Sequence, residues 1–152
     1  MSKKTILIVD DDADVRMSLH VRLKANDYDV IFAADGVASI SETRKHMPDL
    51  ILLDLGLPAG DGFAVIERLK ANDSLSLIPV IVMSARDRNT NQGRALRAGA
   101  RAFLQKPVQN TQLLSVIRHT LGESSKAPAV YELDQRSLPD SWPNASRTLG
   151  LQ

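Results

Sequence analysis

The sequence predicts a doubly wound α/β domain, in which helices cover both faces of an open parallel sheet. Five short apolar runs support this prediction, because strands that are buried on both faces do not alternate polar and apolar residues. Segments with the three- and four-residue spacing of amphipathic helices separate these runs, so a strand–helix unit repeats about five times over residues 5–121. Crossovers between parallel strands are nearly always right-handed, which favours helices on both faces of the sheet.

The predicted elements follow one another in a regular order. The strands are Ile6–Val9, Val30–Phe32, Leu50–Leu53, Val80–Met83 and Ala102–Leu104. The helical spacing is clearest in three sets, which are Val15, Leu19 and Leu23; Val65, Ile66 and Leu69; and Leu113, Val116, Ile117 and Leu121. The last 31 residues have no sustained periodicity and contain three of the seven prolines and the only tryptophan. We therefore expect one domain over residues 1–121 and an irregular tail or linker over residues 122–152, without an effector domain.

Composition and charge exclude several classes of protein. The chain of 152 residues has no cysteine, which excludes a disulfide framework, thiolate catalysis and cysteine-based zinc sites. No apolar run approaches the ~18 residues of a membrane span, and the first run is too short for a signal peptide, so a cytoplasmic protein is expected. The net charge of +1 conceals an asymmetry, because residues 86–121 carry seven basic and one acidic side chains, whereas residues 1–85 carry nine and thirteen.

Polar side chains stand where four of the predicted strands end. They are Asp10, Asp11, Asp54, Ser84 and Lys106. In doubly wound sheets, ligands bind beyond the carboxyl ends of the strands. Three carboxylates suit a hard divalent cation such as Mg²⁺, which takes oxygen ligands, and a carboxylate can also attack a phosphoryl group to form an acyl phosphate. Asp12, which follows the acidic pair, is expected to cap the next helix.

Several short segments together carry a resemblance to a known family. They are Ile6–Asp12, Pro48–Asp54, Leu57-Pro58 with Asp61-Gly62, Pro79–Ala85 and Phe103–Pro107. Over residues 4–121 the chain resembles the receiver domain of bacterial two-component response regulators, of the chemotaxis-type, stand-alone kind. The resemblance implies a flavodoxin-like fold with five parallel strands in the order 2-1-3-4-5 and five flanking helices.

The same resemblance implies a role for each residue of the phosphoryl site. Asp54 is implied to be the phosphoacceptor, which receives its phosphoryl group from a sensor histidine kinase or a phosphotransfer protein. Asp10, Asp11 and Asp54, together with the backbone carbonyl of Gly56, are implied to bind Mg²⁺. Lys106 is implied to pair with the phosphate. This is the chemistry of a regulatory protein that catalyses only its own phosphorylation and dephosphorylation, without turnover of a substrate.

The resemblance also implies how phosphorylation changes the molecule. Ser84 is the implied switch hydroxyl and Phe103 the implied switch aromatic, although plain core packing is an alternative for Phe103. The bond between Lys106 and Pro107 is expected to be cis, an isomer that is essentially confined to X–Pro bonds. The added charge would draw Ser84 inward, and the surface around the fourth helix, fifth strand and fifth helix would repack to control a partner protein.

Three arginines in the basic segment are candidates for that output surface. Arg94, Arg97 and Arg101 are three and four residues apart, so they are expected to share one helix face and to meet an acidic downstream partner. A solvated face without a special partner is the alternative. Direct nucleic-acid binding is not expected, because no aromatic residues are interleaved with the arginines, and no membrane contact is expected.

Other functional classes are compatible with parts of the pattern. A Mg²⁺-dependent phosphatase of the haloacid-dehalogenase-like kind would need a second aspartate two residues after the nucleophile, where this chain has Gly56. A receiver that serves only as a binding module is a further alternative, against which the complete set of acidic and basic residues argues. A receiver cut from a longer protein, with residues 122–152 as the start of a linker, stays open.

Overall fold

The computed structural model describes residues 3–57 and 62–123, along which strands and helices alternate. The strands are β1 (Thr5–Val9), β2 (Asp29–Ala33), β3 (Leu50–Asp54), β4 (Val80–Ser84) and β5 (Ala102–Gln105). The helices are α1 (Ala13–Lys24), α2 (Gly36–His46), α3 (Gly62–Lys70), α4 (Arg88–Ala98) and α5 (Asn110–Thr120). Among these residues, no helix is long and apolar enough to cross a membrane.

The five strands form one parallel sheet in the order β2-β1-β3-β4-β5. This order, and the five helices around the sheet, confirm the predicted fold class. β1 pairs with both β2 and β3, so the chain reverses its direction of travel across the sheet after β2. A crevice for ligands is expected at such a switch point, outside the carboxyl ends of β1 and β3.

Both faces of the sheet are buried under helices. One layer combines Leu7 and Val9 of β1 with apolar residues of α2, α3 and α4, including Phe63. The other layer combines Ile6 and Ile8 with apolar residues of α1 and α5. This two-sided burial explains why the strands read as unbroken apolar runs rather than as alternating ones.

The first helix begins at the capping residue that the sequence indicated. The Asp12 carboxylate accepts hydrogen bonds from the backbone N–H groups of Asp14 at 2.8 Å and Val15 at 3.3 Å. These bonds satisfy amide groups that have no partner inside the helix. The predicted cap is therefore confirmed, and it separates the structural role of Asp12 from the roles of the two aspartates before it.

The amino end of the sheet, where the five strands begin, is closed by the last turn of α5. Gly122, at a φ of 74°, ends the helix, and the Glu123 N–H donates to the carbonyl of Arg118 at 2.8 Å. The buried Tyr28 hydroxyl donates to Glu123 Oε1 at 2.7 Å, and Arg118 Nη2 donates to Asn26 Oδ1 at 3.2 Å. Burial, followed by the bond to Glu123, raises the pKa of Tyr28 to about 12.

Candidate functional site

The polar residues predicted at the strand ends meet at the carboxyl end of the sheet, where the five strands end. Val9 pairs with Leu53 across β1 and β3, so the next residues, Asp10 and Asp54, are neighbours. Asp54 in turn pairs with Met83, the residue before Ser84. The order of the strands therefore brings together side chains that are far apart in the sequence.

Three carboxylates form a compact acidic cluster there. Oxygen atoms of Asp10, Asp11 and Asp54 lie within 4.8 Å of one another. Asp10 is 1% exposed and Asp54 is 8% exposed, whereas Asp11 is on the surface. Because like charges at this separation repel one another, the cluster favours a cation.

Asp10 is held by donors at each of its oxygen atoms. Its Oδ1 accepts a hydrogen bond from the backbone N–H of Asp12 at 2.9 Å, and its Oδ2 accepts one from Lys106 Nζ at 2.8 Å. Its main-chain carbonyl accepts a further hydrogen bond from Arg16 Nη1 at 2.7 Å. Asp10 is thus the most firmly held of the three acids.

Asp54 is more loosely held than Asp10. Its Oδ1 accepts a hydrogen bond from the Gly56 N–H at 3.2 Å, and its Oδ2 lies 3.7 Å from Lys106 Nζ. Burial raises the pKa of Asp54 above its usual value, and the neighbouring Asp10 and Asp11 carboxylates raise it further, while Gly56 and Lys106 counteract this in part. A perturbed carboxyl group of this kind, in a cluster, is typical of a functional site.

Gly56 leaves one side of the Asp54 carboxylate open. A Cβ atom at this exposed position would lie 3.8 Å from both carboxylate oxygens of Asp54. Any side chain at position 56 would therefore stand beside the Asp54 carboxylate. The role of its carbonyl as a metal ligand stays a prediction.

Ser84 and Lys106 connect the ends of β4 and β5. The Lys106 N–H donates to the carbonyl of Ser84 at 2.8 Å, and the buried Ser84 Oγ accepts a hydrogen bond from the Arg86 N–H at 2.9 Å. Because the oxygen only accepts in this contact, the hydroxyl proton of Ser84 can still be donated to another group. The bond between Lys106 and Pro107 is cis, the isomer that the family resemblance implied.

Phe103 lies inside the protein rather than at its surface. It belongs to β5, is 2% exposed and packs in the same layer as Phe63 and Val82. This position serves core packing in the state described here, and the role of Phe103 as a switch stays a prediction.

The expectation that Arg94, Arg97 and Arg101 share a helix face is wrong for Arg101. Helix α4 ends at Ala98, because Gly99 takes a left-handed conformation with a φ of 118°. Arg101 therefore lies outside the helix, just before β5. Arg94 and Arg97 are exposed on α4, but Arg94 also stacks over the Phe63 ring of α3, at 3.8 Å from the ring centroid.

Two residues near the site, Arg16 and Gly62, were assigned no part in the site from the sequence, although Gly62 belongs to a segment that carries the family resemblance. Arg16 bonds to the Asp10 carbonyl, as described above. Gly62, the first residue of α3, lies against β3, where a Cβ would come within 2.7 Å of Leu55 Cα and 2.8 Å of the Asp54 carbonyl oxygen. The sequence signals that could have pointed to these two residues are the arginine six residues after Asp10 and the glycine eight residues after Asp54.

A groove runs beside the acidic cluster, between α1 and the segment that follows β5. It has a volume of about 540 Å³ and is lined by Val15, Ser18 and Arg22 of α1 together with Lys106, Pro107 and Val108. Lys106 belongs to both places, so the groove is continuous with the cluster. A partner that fills it would contact Lys106, whose Nζ lies 3.7 Å from Asp54 Oδ2.

The donor set fits Mg²⁺. Carboxylate oxygens from Asp10, Asp11 and Asp54 are the hard ligands that this ion takes, and they converge from two adjacent strands. Mg²⁺ commonly binds one or two carboxylates and keeps several waters, which the exposed side of Asp11 and the open position at Gly56 permit.

Residues 6–118 match the family model described as "Response regulator receiver domain". The chain belongs to this family. Receiver domains act as phosphoacceptors in two-component signal transduction, and they regulate rather than turn over a substrate.

Relatives with known names support the membership. The chain is 38% identical over 114 residues to the "Response regulator PleD" of Caulobacter vibrioides, a match that covers 74% of this chain and 25% of the relative. It is 33% identical over 141 residues to the "Probable transcriptional regulator ycf27" of Porphyridium aerugineum, which covers 93% of this chain and 55% of the relative. The chain thus spans about half or less of the length of these curated relatives.

Solved structures of receiver domains have the same fold. A response regulator from Chloroflexus aurantiacus superimposes with a TM-score of 0.76 at 28% identity, covering 79% of this chain and 98% of that one. The chemotaxis response regulator CheY4 of Vibrio cholerae gives a TM-score of 0.70 at 25% identity, covering 77% and 98%. Because the relatives include both transcriptional and chemotaxis regulators, they support the family and not the chemotaxis-type, stand-alone subtype.

Proposed function

We propose that Asp54 is the phosphoacceptor of this receiver domain and that the acidic cluster binds Mg²⁺. The observation that supports the proposal best is the setting of Asp54. Its carboxylate is nearly buried between two other acids, has Lys106 at 3.7 Å and is open on the side of Gly56. These are the parts that phosphoryl transfer needs, because the reaction depends on positioning and on neutralising the phosphoryl oxygens.

The proposed reaction is an in-line transfer from a phosphohistidine. An oxygen of Asp54 forms a bond to phosphorus while the bond from phosphorus to the histidine nitrogen breaks, and the electron pair of that bond remains on the imidazole. Asp10, Asp11 and Asp54, with the Gly56 carbonyl, would hold Mg²⁺, which supplies positive charge to the phosphoryl oxygens when bound. Lys106 donates to the same oxygens, for which it exchanges its contact with Asp10.

The added charge then changes the conformation of the receiver. Ser84 donates its hydroxyl proton to a phosphoryl oxygen, and the backbone around Arg86 moves with it, because the Arg86 N–H is bonded to Ser84 Oγ. The movement reaches α4, β5 and α5, with Phe103 as the aromatic residue that repacks. Arg94 and Arg97 remain candidates for the surface that meets an acidic downstream partner, and Arg101 contributes from outside the helix.

The phosphoryl donor is proposed to be a sensor histidine kinase or a phosphotransfer protein. The groove between α1 and Val108 offers such a partner a largely apolar surface that is continuous with Lys106. A helix of the donor that lies in this groove would bring its histidine near Lys106, whose Nζ lies 3.7 Å from Asp54 Oδ2. Binding is thus expected to depend on α1, whereas output depends on α4.

The division of the chain into a domain and a tail is also a proposal, which the family match over residues 6–118 supports. Residues 1–121 form the receiver domain, and residues 122–152 form a tail or linker, of which only Gly122 and Glu123 lie within the described part of the chain. The stand-alone, chemotaxis-type organisation, the cytoplasmic location and output through protein contacts, rather than through nucleic acid or membrane, stay predictions.

The test is phosphorylation by a small donor. Wild type, Asp54→Asn and Asp27→Asn are incubated with phosphoramidate and Mg²⁺, and the intact masses are compared. Asp27 is a matched control, because it is exposed at a φ of 69°, a conformation that asparagine tolerates equally well. We expect wild type and Asp27→Asn to gain one labile phosphoryl group, and Asp54→Asn to gain none.

Removal of the metal completes this test. Chelation with EDTA should stop the labelling of wild type, and addition of excess Mg²⁺ should restore it. Labelling that persists in Asp54→Asn, or a wild type that gains no phosphoryl group with Mg²⁺ present, would contradict the proposed function.

A further inference from the structure

Arg16 stands out because its position does not serve the helix in which it lies. It belongs to the first turn of α1, where the helix dipole disfavours a positive charge. Its side chain is half-buried, and its Nη1 donates to the main-chain carbonyl of Asp10 at 2.7 Å. A hydrogen bond from a charged donor at this distance is one of the stronger kinds in proteins. The guanidinium group therefore acts on the end of β1 rather than on α1.

The bonded carbonyl belongs to the peptide group that joins Asp10 to Asp11. The carboxylate of Asp10 has its own donors, from the Asp12 N–H and from Lys106. The carboxylate of Asp11 is different, because it accepts no hydrogen bond from any residue in the described ranges 3–57 and 62–123. The placement of the Asp11 side chain thus depends on the two peptide groups that flank it, of which Arg16 holds the one before it and the bond from the Asp12 N–H to Asp10 Oδ1 holds the one after it.

We propose that Arg16 is a positioning residue of the metal site, which holds the Asp10–Asp11 peptide group so that the Asp11 carboxylate faces Asp10 and Asp54. The inference rests on the proposed function, because it takes the acidic cluster to be the Mg²⁺ site. Replacing a residue that orients a metal ligand, but does not itself contact the metal, typically changes metal affinity by 10–100-fold. Arg16 acts in this way through the backbone.

The direction of the effect distinguishes positioning from simple electrostatics. A positive charge beside the cluster repels Mg²⁺, so its removal should tighten binding if charge alone matters. If Arg16 positions Asp11, its removal should weaken binding, despite the loss of a repelling charge. The two explanations predict opposite signs.

The experiment measures Mg²⁺ binding by isothermal titration calorimetry on the full chain. Arg16→Ala is expected to weaken binding about tenfold, and Arg16→Lys, which can donate to the same carbonyl, should recover most of the affinity. Arg44→Ala is the matched control, because it removes the same charge from the exposed last turn of α2. It should bind Mg²⁺ as wild type does.

Phosphorylation by phosphoramidate supplies a second readout. In Arg16→Ala the Mg²⁺ concentration for half-maximal rate should rise about tenfold, in line with the affinity, while the rate at saturating Mg²⁺ changes much less. Circular dichroism checks the fold, and if the alanine variant is unfolded, Arg16→Gln is judged by the same criteria.

The outcomes separate the inference from the proposed function. A wild type that does not bind Mg²⁺ contradicts the proposed function itself. A wild type that binds, together with a folded Arg16 variant of equal or tighter affinity, overturns the role of Arg16 and leaves the proposed function standing.

Discussion

At the amino end of the sheet the buried Tyr28 hydroxyl bonds to Glu123 at 2.7 Å, whereas at the carboxyl end three carboxylates lie within 4.8 Å of one another. The amino end pairs groups that attract each other, including the Thr5 N–H with Asp49 Oδ2 at 2.8 Å. The carboxyl end gathers groups of like charge. The two ends of the sheet therefore differ in their polar contacts, because the amino end pairs complementary groups and the carboxyl end places like charges together.

This difference indicates that the residues at the carboxyl end lower the stability of the fold in favour of function. At the carboxyl end, burial raises the pKa of Asp54, and Lys106 Nζ lies within 4 Å of carboxylate oxygens of both Asp10 and Asp54. A cluster of like charges costs free energy until a cation neutralises it. At the amino end, the described hydrogen bonds pair complementary groups, and we expect them to contribute to the stability of the fold.

Alanine substitutions at Gly62 and Gly122 are expected to give the largest difference between the two ends. A Cβ at Gly62 would lie within 2.8 Å of backbone atoms of Asp54 and Leu55, so Gly62→Ala should lower the free energy of unfolding by about 2–3 kcal/mol and slow phosphorylation by phosphoramidate. Gly122→Ala meets no atom within 4 Å but has a φ of 74°, so it should cost about 1 kcal/mol without slowing phosphorylation.

Urea denaturation and intact-mass kinetics on both variants measure these effects. If Gly122→Ala slows phosphorylation as much as Gly62→Ala does, the two ends are not separate in function.

Removal of the charge at position 54 should stabilise the protein. In the absence of Mg²⁺, Asp54→Asn is expected to raise the free energy of unfolding at neutral pH by about 1–2 kcal/mol, because it relieves the burial of a charge and its repulsion by Asp10 and Asp11. The folded protein binds the Asp54 proton more tightly than the unfolded chain does. The stability of wild type therefore falls as pH rises from the usual carboxyl pKa through the raised pKa of Asp54.

Denaturation at a series of pH values measures this linkage. The advantage of Asp54→Asn should be small at low pH, where both proteins are neutral at position 54, and complete at neutral pH. A difference that does not change with pH would show that charge is not its source.

The smallest expected effect lies at the amino end. Tyr28→Phe removes the hydrogen bond to Glu123 and should lower the free energy of unfolding by about 0.5–1 kcal/mol. The rate of phosphorylation by phosphoramidate should stay at the wild-type value, because Tyr28 lies at the opposite end of the strands from Asp54. A slower rate in this variant would mean that the two ends are coupled.

The fold could be predicted from the sequence because its strands are buried on both faces. Unbroken runs such as Ile6–Val9 identify parallel strands, and the parallel order then places the residues after them at one end of the sheet. The acidic cluster follows from that topology alone, which is why the sequence predicts that Asp10 and Asp54 lie together. The Asp12 cap could be predicted for a similar reason, since capping is local.

Contacts that depend on the path of the chain between elements could not be predicted in this way. The bond from Arg16 to the Asp10 carbonyl depends on how the chain turns from β1 into α1, which periodicity does not describe. The stacking of Arg94 on Phe63 depends on how two helices pack side by side. The position of Arg101 differs from the prediction for another reason. The spacing of the arginines suggests a continuous helix, but Gly99 is a typical helix-ending residue, and α4 ends before Arg101.

The open side of Asp54 at Gly56 has a consequence for the rates of the proposed reactions. In the proposed reaction, the opening that would admit a phosphoryl donor would also admit water. A larger residue at position 56 would then be expected to slow both phosphorylation and hydrolysis of the acyl phosphate. A fast response and a long-lived phosphorylated state would therefore compete at this position, and their balance would have to be set by other groups around the carboxylate.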